Sequence, residues 1–220
     1  MKVKIINERE SSIARILLKN DQTLITQAGT LVAMRGNVSI STSFRRSSAK
    51  GKSSNTKIIA TESLFLTEFC GLNDTNEVLL ASAMIGNIVV HSIKKYKLVV
   101  VASAYLACDG TMTLFFGIPE IKFPSENQTL TLLSLTGKGE VLLNGLGAIY
   151  LIEVEEEYWV KVEHLVAFEN SLKYEVKELK EKWWQKPKIF IKFRGEGKLY
   201  CQTHQGKNWG YLIAKKLKSK

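Results

Sequence analysis

Residues 148–174, AIYLIEVEEEYWVKVEHLVAFENSLKY, overlay without a gap on two other stretches of the same chain. These are residues 14–40, ARILLKNDQTLITQAGTLVAMRGNVSI, and residues 88–114, IVVHSIKKYKLVVVASAYLACDGTMTL. The landmarks fall in register: Leu31, Val32 and Ala33 match Tyr105, Leu106 and Ala107, then Leu165, Val166 and Ala167. Gly36, Gly110 and Asn170 follow at one shared position. Self-similarity of this kind marks an architecture made by repeating one supersecondary unit. Each copy reads as a strand, a polar turn, a second strand, a tight turn and a third strand. In the third copy Ile149, Leu151 and, after a short break, Val154 alternate with other residues. Glu155, Glu156 and Glu157 interrupt, and then Tyr158, Val160 and Val162 alternate with Trp159, Lys161 and Glu163. A period of two is the mark of a half-buried strand, not of a helix. Gly36 and Gly110 suit a turn that needs positive φ, and asparagine is the next best residue there, which accounts for Asn170.

A second unit also recurs. SLFLTEFCGLNDTNEVLLASAMIGN at 63–87 is two strands joined by a Gly/Asn/Asp turn. LTLLSLTGKGEVLLNGLG at 130–147 and IFIKFRGEGKLYCQTH at 189–204 repeat it, with the tight turns Gly137-Lys138-Gly139 and Gly195-Glu196-Gly197. Gly-x-Gly between two strands reads as a hairpin. A phosphate cradle would need a helix N-terminus straight after it, and none is predicted. The expectation is an all-β single domain over residues 1–220, with three β-sandwich-like repeats at 14–86, 88–147 and 148–205. None can hide its apolar face alone, so the three are expected to pack around a pseudo-threefold axis. A short strand, KVKII, precedes the first repeat. Residues 41–60 form a Ser-, Lys- and Arg-rich loop predicted to be mobile, residues 115–127 a second loop, and KELKEKWWQKP at 177–187 a linker with a helical turn ended before Pro187. Trp183 and Trp184 in that linker either cover a sandwich end or present an exposed protein contact.

A chain of 220 residues buries roughly 70% of the surface its unfolded form exposes, so no metal or disulfide staple is required. Cys70, Cys108 and Cys201 are widely spaced, odd in number and without a CxxC pair, which suits apolar filler in a reducing compartment. MKVKIINERE lacks the apolar run of a secretory signal and no long Arg- and Ser-rich presequence is present. The expectation is cytoplasmic, with a mitochondrial alternative if a presequence has been removed. The longest apolar stretches, 98–107 and 78–90, fall short of the ~20 residues a spanning helix needs, so no transmembrane segment is expected.

The net charge of +10 is local. Arg45, Arg46, Lys50, Lys52 and Lys57 lie in residues 41–60 without an acidic residue; Lys207, Lys215, Lys216, Lys218 and Lys220 do so in residues 206–220. Those ten residues account for the whole net charge. They offer an anion or nucleic-acid contact, although Phe44 is the sole aromatic in the loop and no stacking platform accompanies it.

Catalytic chemistry finds little support. His91, His164 and His204 occupy three non-equivalent places in the repeat frame, and no two stand at i and i+2 on one strand. Converging zinc or iron ligands are therefore not expected. No G-x-S-x-G elbow is present, and Cys108-Asp109-Gly110 sits at a repeat turn whose counterparts are Met34-Arg35-Gly36 and Phe168-Glu169-Asn170. The run from Glu153 to Glu157 lacks the DxDxDG arrangement of a calcium loop and reads as a solvated turn. No catalytic, cofactor-binding or metal-ligating residue is assigned.

Read as a set, AGTLVAMRGNV, ESLFLTEF, GNIVV, AYLAC, TGKGEVLLNGLGAI, VEHLVAFENSLKYEV and FRGEGKLYCQT resemble, in order, the altered inheritance of mitochondria protein 24 family, over about residues 14 to 213. The resemblance implies a β-sandwich like the tryptophan RNA-binding attenuator (TRAP) subunit, of the double-stranded β-helix type, repeated within one chain. It implies no established enzymatic activity, and eukaryotic members look like inner-membrane organisation factors of mitochondria. Two positions depart from the family pattern: Glu163 stands for a glycine, and Gly195-Glu196-Gly197 for Gly-Pro-Gly.

The reading that follows is a non-enzymatic interaction or scaffold protein, self-associating as a homo-oligomer or binding a protein partner, because sandwich edge strands are ready pairing surfaces. The alternative is a nucleic-acid-binding module using the 41–60 loop and the tail. The segment 214–220 is expected to be a mobile cationic end, with Lys215, Lys216, Lys218 and Lys220 giving at most a weak contact with an anionic membrane surface.

Overall fold

The computed structural model describes residues 1–7, 11–44, 65–82, 85–116, 121–123, 128–180 and 187–205. In chain order the strands are β1 Lys2–Ile6, β2 Ile13–Leu18, β3 Thr23–Gln27, β4 Leu31–Arg35, β5 Val38–Phe44, β6 Phe65–Gly71 and β7 Asn76–Ala81. They continue as β8 Ile88–Ile93, β9 Leu98–Val101, β10 Tyr105–Asp109, β11 Thr113–Phe116, β12 Ile121–Phe123, β13 Gln128–Leu130, β14 Leu132–Thr136 and β15 Gly139–Asn144. The last are β16 Ile149–Val154, β17 Glu157–Lys161, β18 Leu165–Glu169, β19 Lys173–Leu179, β20 Lys188–Arg194 and β21 Gly197–Gln202. Two 3₁₀ turns, Ala102–Ala104 and Val162–His164, complete the described elements. The all-β expectation is met.

The strand read as the second of each copy is in fact two. Val101 and Lys161 are extended, then a 3₁₀ turn bends the chain before β10 and β18. At the matching place in the first copy Gly29, with φ +82°, does the same before β4. The bend carries the chain from one sheet to another: β9 lies in one hydrogen-bonded layer and β10 in a different one. Alternation continued across that bend, which is why no break was visible in it.

Four main sheets result, with strand orders β1-β2-β7-β4, β5-β6-β3-β10-β15-β8, β11-β14-β9-β18-β21-β16 and β17-β20-β19. The main ladders are antiparallel. β7, β15 and β21 each sit between two strands, and each ladder to the later partner slips by a residue, between Leu31 and Ala33, Tyr105 and Ala107, and Leu165 and Ala167. The two six-stranded sheets are held together in their middle by β3 with β10 and by β9 with β18.

Packing follows from this layering. Ala14, Ile16, Leu18, Val78 and Leu80 project from the first sheet onto Leu24, Phe69, Leu106 and Leu142 of the second. Tyr105 and Cys108, on the same short strand as Leu106, join a larger core instead, with Leu98, Leu132, Phe168, Ile191 and Phe193. β10 is thus buried on both faces, and its four residues from Tyr105 to Cys108 are all inside. Phe168, Tyr174 and Phe193 meet edge-on or tilted at 5.0 to 6.4 Å between centroids, geometry that adds to the burial of their rings.

Several boundaries differ from expectation. β5 runs to Phe44, so the first four residues of the 41–60 loop are strand. β19 reaches Leu179, so the linker starts later than Lys177, and the 115–127 loop begins with the last two residues of β11 and contains β12, which pairs with β13 just beyond it. The shared turn position needs positive φ at Gly36 alone, +97°. At Gly110 the constraint is proximity: a Cβ there would lie 1.6 Å from Thr23 Oγ1, while its N–H donates to the Thr23 carbonyl at 2.9 Å. Asn170 replaces that closeness with two bonds to Lys97, N–H to carbonyl at 3.0 Å and Oδ1 accepting Lys97 N–H at 2.9 Å. Gly137 and Gly195 do take positive φ, as their hairpin turns require.

Candidate interaction surface

Every main sheet ends in two edge strands, and an edge strand offers unpaired N–H and C=O groups to any other strand. Three of these edges are blunted by their composition. β1 carries Lys2 and Lys4, β5 reads VSISTSF, and β19 reads KYEVKEL. β4, LVAMR, is different: all five residues are exposed and its one charge, Arg35, is at the end. Val32 is 54% and Met34 48% accessible. β17, the edge of the three-stranded sheet, exposes Tyr158 and Trp159. β16 adds exposed Tyr150 and Leu151 at a third edge.

Charges frame the β17 edge. Glu157 accepts from Lys192 at 2.6 Å, from Trp159 Nε1 at 2.7 Å and from Arg194 Nε at 3.3 Å. Those donors, Lys192 first, hold its carboxyl down to about 2. The Lys192 ammonium lies 5.0 Å from the Trp159 ring centroid, so one face of that indole is already covered by a cation.

The titratable side chains that are buried together belong to a structural contact. His91 on β8 places Nδ1 2.8 Å from the Tyr200 hydroxyl on β21, a bond between two different sheets, and the rings meet edge to face at 5.5 Å. Glu169 stands 4.0 Å from His91 Nε2 and accepts the Lys198 N–H at 2.9 Å. Burial lowers the His91 pKa from its ordinary 6.5, against the opposing pull of Glu169, and burial pushes the Tyr200 phenol up to about 12. A neutral imidazole locked to a phenol is suited to joining two sheets. His164 Nδ1 is 2.7 Å from the Gln202 carbonyl and His204 Nδ1 2.8 Å from Thr203 Oγ1, so the three histidines do not converge. Among the described residues no three His, Cys, Asp or Glu side chains group to hold a metal. No disulfide joins Cys70, Cys108 and Cys201, and burial raises the Cys201 thiol to about 12, far from a nucleophile's range.

The anion-contact residues Arg45, Arg46, Lys50, Lys52, Lys57, Lys215, Lys216, Lys218 and Lys220 lie outside the described residues, as do Trp183 and Trp184. Sequence reasoning missed the residues that stand out instead, Val32, Met34, Tyr158 and Trp159. Their alternation reads as core, and only knowing which strands have partners shows them uncovered. No described helix is long and apolar enough to cross a membrane.

A crystal structure from Streptococcus pyogenes superposes with a TM-score of 0.76 at 20% identity, covering 98% of this chain and 99% of that one. At that identity the likeness concerns the fold. Among curated proteins no relative matches the chain. The family model described as Mitochondrial biogenesis AIM24 matches residues 3–204, nearly the whole sequence. The chain belongs to the AIM24 family.

Proposed function

We propose that this AIM24-family chain is a non-enzymatic, self-associating scaffold built from three TRAP-like sandwich units around a pseudo-threefold axis. The observation that carries the reading is β4, a strand with one edge unpaired among the described residues, five exposed residues and three large apolar side chains among them. Leaving such an edge in water is a hazard that folded proteins ordinarily blunt with charge, proline or cover. Removing it by association gains roughly 25 cal/mol per Å² of apolar surface covered. The threefold reading is supported by the recurring register slip and by Ser12 N–H donating to the Gly86 carbonyl at 3.2 Å, with Asn87 N–H donating to Gly147 at 2.9 Å. These contacts bring the residues just before the first unit together with the two junctions between units.

Native mass spectrometry and sedimentation velocity test the proposal. Species heavier than the 24.7 kDa monomer are expected at micromolar concentration. A monomer throughout, up to about a hundred micromolar, a Kd corresponding to only some 5 kcal/mol, would refute it.

A further inference from the structure

The two contacts that hold the six-stranded sheets together share one register. In the first, Thr26 faces Ala107, Ile25 faces Cys108 and Leu24 faces Asp109; in the second, Val100 faces Ala167, Val99 faces Phe168 and Leu98 faces Glu169. In the frame that overlays residues 14–40, 88–114 and 148–174, both contacts join the same positions of successive copies. A third contact of the same kind would join β17 to β4, with Val160 facing Ala33, Trp159 facing Met34 and Tyr158 facing Arg35. Among the described residues these are the strands left open: β4 has a ladder to β7 alone and β17 to β20 alone. The counterparts of Met34 are Cys108, 0% accessible, and Phe168, 2%.

We propose that β17 of one molecule pairs antiparallel with β4 of a second molecule in that register, the one contact of the pseudo-threefold set that the described residues of a single chain leave unmade. The proposal rests on the self-association reading above and specifies its interface. The sheet so formed would run β19-β20-β17-β4-β7-β2-β1, which reproduces the β5-β6-β3-β10-β15-β8 order with β1 added at its end. Side chains are matched as well as backbone. Met34 meets the Trp159 ring, a favourable sulfur–aromatic pair. Arg35 meets Tyr158 beside the acidic Glu156 and Glu157. The Gly36 N–H would donate to the Glu157 carbonyl, as Gly110 does to Thr23 and Asn170 to Lys97. The edges joined are different ones, so the interface is head-to-tail and each copy keeps one β4 and one β17 for the next, giving rings or filaments according to the rotation per step.

The test uses two single variants of the full chain, Met34→Cys and Trp159→Cys, both at exposed positions and both checked by circular dichroism. Mixed and oxidised, they are expected to give a covalent dimer whose 34–159 disulfide is mapped by peptide mass spectrometry, a link that can arise only between molecules. Leu31→Cys in place of Met34→Cys is out of register and is expected to give at least tenfold less. Should a cysteine variant fail to fold, Arg35→Glu supplies the same test: placing a carboxylate against Glu156 and Glu157 is expected to weaken association about tenfold or more. A 34–159 link that forms inside single molecules carrying both Met34→Cys and Trp159→Cys, with none between the mixed single variants, would show that the chain closes on itself and would overturn the proposal. Oligomers that persist without the link and ignore Arg35→Glu would also overturn it while leaving self-association standing. Monomers alone would sink both.

Discussion

β10 and β4 occupy the same place in two copies of one sequence pattern, YLACD and LVAMR, yet the first is buried at four of its five residues and the second is exposed at all five. Both pair on one side with the second strand of a hairpin, β15 or β7, through the same one-residue slip. The difference is the other side. β10 has β3 there, and β4 has nothing from its own chain among the described residues. Burial of a strand at this place is therefore decided less by its own residues than by whether another copy precedes it and supplies the strand beside it.

The sharpest break of the comparison is one substitution made at both places. Ala107→Glu buries a carboxylate without a partner and is expected to cost at least about 4 kcal/mol or prevent folding, read from urea unfolding. Ala33→Glu is expected to leave the unfolding free energy of the dilute protein within about 0.5 kcal/mol while abolishing its larger species. Equal damage at both sites would mean that β4 is covered within the chain.

The next effect concerns the turn beside the buried contact. Gly110→Ala puts a Cβ against Thr23, a stiff β-branched side chain, and overpacking of this kind costs roughly 1–3 kcal/mol. Gly195→Ala meets only the Ser171 carbonyl at 3.4 Å and carries the left-handed strain of φ +111°, about 1 kcal/mol. Thermal melts of the two should separate in that order; the reverse order would show that Thr23 yields easily.

Much of this was legible beforehand. Period-two alternation announced the strands, Gly-x-Gly announced two hairpins, and the overlay of 14–40 on 88–114 announced that one pattern is reused. What was hidden is the non-local part. Thr23 and Gly110 are far apart in sequence and nothing in either predicts a 1.6 Å conflict; positive φ was the local explanation available, and it holds only at Gly36. The apolar residues of LVAMR and EYWVK look like core because in the other copies their counterparts are core. Among the described residues no second strand pairs with either of them, and periodicity does not encode that.

A smaller effect sits where two sheets are joined through His91. Its pKa is lowered in the folded state by burial, so the unfolded chain takes up the proton first as pH falls through 6.5. The stability this group contributes is full above that value and declines towards the lower folded pKa, with Glu169 and Glu140 opposing the shift and Lys198 adding to it. His91→Gln keeps a partner for Tyr200 and is expected to flatten the urea midpoint below pH 6.5 relative to the parent; an unchanged slope would assign the acid sensitivity elsewhere. Smallest of all, Arg15→Ala removes an exposed ion pair with Glu77 on neighbouring strands of the first sheet and is expected to cost no more than about 1 kcal/mol.

The central claim is that β4 and β17 are open in one molecule and closed between two. Amide hydrogen exchange read at several protein concentrations tests it most directly. Amides of β10 and β18 should be protected equally at all of them, whereas those of β4 and β17 should exchange fast when dilute and slow together as concentration rises. Protection of β4 and β17 that is already complete in dilute solution, or exchange that stays fast at every concentration, would contradict the account.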